Sequence, residues 1–170
     1  MRKVFDRRIV KLFFGGLSFF YTAGLIYVFF FARRRWREFP VRNFNIVPLK
    51  NKIQYLQAWS HHTAPENAEV LKDVVGNILI FIPFPFLLLF LLGFKSYGRL
   101  LLLSFVFSTG VELIQLITNV GVADIDDVLF NTLGAGIGII IMYAVARLRG
   151  KEPGQSVNYR VTGQKNRTWA

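Results

Sequence analysis

The chain has 170 residues, of which 53% are hydrophobic and 16% aromatic, with a formal net charge of +11 and no cysteine. That apolar content exceeds what a soluble domain of this size carries and points to a membrane, and the missing cysteine excludes disulfides and thiolate metal sites. The 21 Lys+Arg residues gather at the ends of apolar runs, where topology and anionic headgroups account for them without invoking nucleic acid.

Four apolar runs approach the roughly 20 helical residues that cross a hydrocarbon core: Leu12 to Ala32, Val74 to Phe94, Leu100 to Thr118 and Val128 to Ala146. The expected fold is therefore an all-α membrane protein with four transmembrane helices. The first run follows Arg2, Lys3, Arg7, Arg8 and Lys11, yet it ends in Arg33, Arg34 and Arg35 instead of a small-residue cleavage site, so it reads as a retained anchor.

Between the first two runs, Leu49, Ile53 and Leu56 recur at helical spacing beside Tyr55 and Trp59. This fits a short helix lying in the membrane interface, with a loop helix facing the core as the alternative. Next, "TAPE" supplies Thr63 as N-cap, Pro65 in the first turn and Glu66 as capping-box partner, so the second helix is expected to start near Ala64, ahead of its apolar run. Pro83 and Pro85 in "FIPFPF" each remove a backbone donor, which predicts a kink whose freed carbonyls neighbouring helices must cover.

Orientation follows from the basic residues. Five precede Leu12, two lie in "KSYGR" and six follow Ala146, together outnumbering the eight between Arg33 and Asp73. The positive-inside rule then places both termini in the cytoplasm. The expected organisation is one transmembrane domain over residues 1–149, with residues 33–73 as an external loop. Residues 150–170, polar and basic, read as a disordered cytoplasmic tail, which would leave the "NRT" sequon at Asn166 on the cytoplasmic side.

The polar residues inside the apolar runs are the informative ones. At 100° per residue, Ser108, Glu112, Gln115 and Asn119 share an arc of about 60° on the third helix. Asp127, Asn131, Gly134 and Gly138 form one stripe on the fourth, where Gly134 and Gly138 make a GxxxG suited to close helix contact and a route to homo-oligomers. Asp73 and Asn77 stack one turn apart on the second. At 1.5 Å per residue, Asn77 and Asn131 lie about 5 Å inside their helix ends and Glu112 about 9 Å, all at the end counted as external.

A carboxylate near the bilayer centre costs about 2.5 to 3.5 kcal/mol on insertion scales, so these acids need compensation. Three forms are open: hydrogen bonds that join helices, with Asp124 and Asp126 capping the fourth; a headgroup or hydroxyl-rich ligand; or a hard divalent cation serving an enzyme. Asp126 reads as a cap. No serine, cysteine or histidine stands in a catalytic array with the cluster, and His61 and His62 read as an exposed loop pair; no catalytic residue, metal ligand or cofactor is assigned. A proton- or cation-coupled transporter through Glu112 ranks last, because the other halves of the spans carry no matching polar residues.

"GNILIFIPF" (Gly76 to Phe84), "STGVELIQL" (Ser108 to Leu116) and "DIDDVLFNTLGAGIG" (Asp124 to Gly138), with "RNFNIVPL" (Arg42 to Leu49) ahead of them, resemble in order and spacing the VanZ-like family of small bacterial membrane proteins. The resemblance implies a multi-pass protein of the bacterial cytoplasmic membrane, linked to resistance to teicoplanin-type glycopeptides. It also implies that the characteristic polar positions are Asn77, Glu112, Gln115, Asp124, Asp127 and Asn131; Asp73 and Asp126 join them as supporting residues on the helical geometry alone. Two positions depart from the pattern. "NVGVAD" lacks an Arg common before the first Asp, for which Arg42 is the substitute counter-ion, and Pro85 replaces a common Gly. The expected activity is non-enzymatic binding of an envelope ligand, a lipid-linked cell-wall precursor, a glycopeptide or a headgroup, in an outer-leaflet cleft; the alternative is a metal-dependent enzyme acting on a phospholipid or polyprenyl phosphate. Membrane lipids are the expected partners, and nucleic acid is not.

Overall fold

The computed structural model describes residues 7–32, 44–93, 96–118 and 123–150. Arg42, Asn119 and the tail beyond Gly150 lie outside these residues. Six α-helices run in order: α1 (Arg7–Tyr27), α2 (Lys50–Gln57), α3 (Ala64–Phe81), α4 (Phe84–Leu92), α5 (Tyr97–Thr118) and α6 (Ile125–Leu148). Two short strands, β1 (Phe44–Asn45) and β2 (Ala123–Asp124), complete them.

Four helical spans are long and apolar enough to cross a membrane: Lys11–Phe31, Ala64–Leu92, Tyr97–Thr118 and Ile125–Leu148. The second is α3 and α4 together, bent by 25°. Its start obeys the capping box, since Glu66 Oε2 accepts hydrogen bonds from the Thr63 amide at 2.7 Å and the Thr63 hydroxyl at 2.9 Å, which satisfies the backbone donor of the N-cap. The 29 residues of this span measure about 43 Å at 1.5 Å per residue, more than a hydrocarbon core of roughly 30 Å, so the first turns of α3 project beyond it.

The bend falls where the prolines remove donors. Pro83 precedes the first residue of α4 and Pro85 sits in its first turn. The carbonyl of Ile80, which loses its helical partner at the break, accepts the Tyr21 hydroxyl from α1 at 2.6 Å. A neighbouring helix thus covers a freed acceptor, as hydrocarbon surroundings demand.

Packing is inverted relative to a soluble bundle. On α5 the buried side includes Ser104, Ser108, Glu112 and Gln115, while Leu102, Val106, Leu113 and Ile117 face outward. A helix that turns its polar stripe inward and its apolar face outward is suited to lipid. The apolar core is a small aromatic seam: Phe29 and Phe81 meet edge to face at 6.1 Å between ring centres, and Phe84 reaches Phe81 at 5.0 Å and Phe107 at 4.7 Å. Leu25, Leu87, Val111 and Ala135 close around it.

The GxxxG stripe is filled within the chain. Gly134 and Gly138 are buried, and a methyl on either would collide with a backbone carbonyl oxygen, that of Ile78 or Ile82 respectively. The close approach these glycines permit in this structure is that of α6 to the second span. The first span, Lys11–Phe31, buries least of the four and packs against the seam through Tyr21, Leu25 and Phe29.

Candidate functional site

The polar residues predicted on three helices do converge, at the end of the bundle where α3 and α6 begin and α5 ends. Asp124 organises the group. It stands in extended conformation just before α6, and its side chain accepts the Asp126 amide at 2.9 Å, which makes it the N-cap of that helix. Its own amide donates to Glu112 Oε2 on α5 at 2.8 Å. The helix dipole adds a favourable field for the acids of this first turn.

Asp126 has a different part from the cap expected of it. Fully buried, it accepts the Leu49 amide at 2.6 Å, and Asn45 Nδ2 approaches its other oxygen at 3.5 Å while donating to Asp124 at 2.8 Å. The backbones also pair, because β1 lies parallel to β2 with Phe44 opposite Ala123 and Asn45 opposite Asp124. Leu49 holds φ at 58°, a left-handed conformation that costs a residue with a Cβ about 1 to 3 kcal/mol. Asp126 binds the amide of that strained residue and so fixes the entry of α2.

Two further pairs tie α3 to its surroundings. Asn77 Nδ2 donates to Asp127, both almost wholly buried, and Lys52 of α2 forms an ion pair with Asp73. One turn deeper, Asn131 Nδ2 donates to Ser108 Oγ at 2.9 Å. Gln115 faces elsewhere: its Nε2 donates to the Phe29 carbonyl at 2.9 Å, within a π turn at Val28–Ala32, a winding that leaves carbonyls without regular partners. Gln115 consequently joins α5 to the π turn that follows α1, whereas the other five predicted residues join α5, α6 and α3.

The buried amide oxygens Asn131 Oδ1 and Gln115 Oε1 have no hydrogen-bond partner among the described residues. A buried acceptor left unmade costs about 1 to 3 kcal/mol, so each is a place where a donor from outside the chain is favoured. Arg42, the expected counter-ion, lies outside the described residues. His62 stacks on Tyr55 at 4.0 Å and approaches Glu66 at 3.9 Å, and the pair His61 and His62 takes no place in the cluster. Among the described residues no three His, Asp or Glu side chains assemble in an arrangement that could hold a metal ion.

Sequence reasoning missed Asn45, Lys52 and the pairing of β1 with β2. Asn45 stood inside "RNFNIVPL" without a role, and a bond spanning 79 residues leaves no periodicity to detect.

The sequence profile of the VanZ/LLP1 family matches residues 18–147. Protein VanZ of Enterococcus faecium is 36% identical over 98 residues, covering 56% of this chain and 58% of VanZ. The aligned region thus spans little more than half of that relative. No solved structure matches.

Proposed function

The chain belongs to the VanZ/LLP1 family of membrane proteins, and on that premise we propose that it binds a hydroxyl- or amide-bearing envelope ligand at the polar end of its bundle. The carrying observation is the buried amide oxygen Asn131 Oδ1, left without a donor one turn below the interlocked acids, with Gln115 Oε1 a second such acceptor on the side of α5 that meets the first span. A cluster that served only to join helices has no reason to retain such acceptors. A lipid-linked cell-wall precursor or a teicoplanin-type glycopeptide offers the needed donors on its sugars and peptide.

In this reading the positive-inside orientation holds, the termini are cytoplasmic and the cluster opens toward the outer leaflet of a bacterial membrane. Glu112, Asp124 and Asp127 supply negative charge and directional acceptors. The loop pinned by Asp126 and Lys52 forms the rim, and the bend between α3 and α4 gives lateral access. The link to glycopeptide resistance belongs to the same proposal and rests on kinship with VanZ.

The test measures binding of teicoplanin and of a lipid-linked muropeptide to purified protein in nanodiscs, alongside drug susceptibility of cells expressing it. Glu112→Gln and Asp127→Asn variants that insert normally are expected to lose binding and to change susceptibility. Unchanged binding and susceptibility in both would refute the proposal.

A further inference from the structure

A second feature lies at the opposite end of the bundle, independent of the polar cluster. Between α1 and α4 lies a groove of about 640 Å³ whose wall includes Phe14, Ser18, Tyr21, Pro83, Leu87 and Phe90. Its volume falls within the roughly 300 to 1,000 Å³ usual for ligand sites. The two polar side chains in the wall are already occupied, Ser18 donating to the Phe14 carbonyl at 2.8 Å and Tyr21 to that of Ile80. The groove therefore offers an occupant only hydrocarbon contact.

Its dimensions select the occupant. Tyr21 is the middle residue of the span Lys11–Phe31, so the groove starts at the bilayer centre, beneath the Phe29, Phe81 and Phe84 seam that closes it. From Tyr21 to Lys11 is about 15 Å at 1.5 Å per residue, half of a hydrocarbon core of about 30 Å. The groove is thus one leaflet deep, which suits an acyl chain; a partner helix would need a seam along the whole span.

Charge at the mouth selects the headgroup. Lys11, Phe14, Ser18 and Tyr21 fall within about 80° of one another on α1 at 100° per residue, so Lys11 crowns the groove face one turn beyond Phe14, whose ring meets Phe90 of α4 at 6.0 Å. Lys11 is exposed, and Arg8 and Arg99 are exposed at the same end. We propose that the groove between α1 and α4 holds one acyl chain of an anionic phospholipid whose phosphate lies beside Lys11.

The test reconstitutes the protein in phosphatidylcholine nanodiscs with and without phosphatidylglycerol, then counts retained lipids by native mass spectrometry. One phosphatidylglycerol per chain is expected to survive in preference to phosphatidylcholine. Lys11→Gln should weaken retention about fivefold, the change made by one interfacial charge. Ser18→Trp should abolish it by filling the groove, and Ser18→Ala should leave it intact. A phosphatidylglycerol carrying a diazirine in its acyl chain should label segments 14–21 and 83–90 of the unaltered protein, which keeps the proposal testable if Ser18→Trp fails to fold. Equal retention of the two lipids, labelling elsewhere, or a second copy of the chain replacing the lipid would overturn it.

Discussion

Asp126 shows how a buried acid is made tolerable in this chain. Its oxygens take the Leu49 amide and approach Asn45, so its charge is shared with donors from a loop 77 residues away in sequence. Truncating it leaves the Leu49 amide without that acceptor. Asp126→Ala is therefore expected to destabilise the protein by about 1 to 3 kcal/mol and to raise amide exchange over 44–57, read by mass spectrometry, whereas Asp126→Asn, which keeps an acceptor oxygen, should retain most of the protection. Asp124 acts through the cap instead. Asp124→Ala should cost about 0.5 to 2 kcal/mol through the cap, with amide exchange rising in the first turn of α6 and around Asn45, whose Nδ2 loses its acceptor.

At the level of elements, the glycine stripe and the proline bend define how α6 and the second span meet. A methyl at Gly134 or Gly138 strikes backbone carbonyl, not a movable side chain, so Gly134→Ala and Gly138→Ala should each lower the thermal midpoint, by an amount corresponding to about 1 to 3 kcal/mol of overpacking. The bend is supported by Tyr21, and Tyr21→Phe should cost about 1 kcal/mol by removing the donor to Ile80. Much at this scale was legible in the sequence: "TAPE" marked the start of α3, "FIPFPF" marked the bend, and the apolar runs marked the spans, because each signal is local or periodic. The GxxxG signal was legible as a contact but silent on its partner, since small residues permit close approach by any helix. The pairing of β1 with β2, the π turn and the Lys52–Asp73 pair arise only when distant segments meet, and no spacing announces them.

Across the whole molecule, the bundle has two unlike ends. One carries the acids, Asn77 and Asn131 under a loop held by Asn45, Leu49 and Lys52; the other carries the apolar groove beneath Lys11. The helical faces of Asn77, Glu112, Asp127 and Asn131 were readable from 100° periodicity, and the fold brings them together as that geometry requires. The exception is Gln115, which shares the face but reaches the Phe29 carbonyl, because α1 packs on that side and sequence spacing does not say which helix lies there.

The central claim is that the polar end binds a ligand in addition to joining helices, and the measurement that separates the two is thermal stability set beside ligand binding in the same variants. Replacing Asn131 and Ser108 together by Leu and Ala removes the orphan Oδ1 together with the hydroxyl that accepts from the same amide's Nδ2, while keeping the helices packed. The double variant is expected to retain a thermal midpoint within a few degrees of the parent and to lose binding of a lipid-linked muropeptide or teicoplanin. Binding that persists undiminished, or that falls only in step with stability, would contradict the claim and leave the cluster as a structural joint.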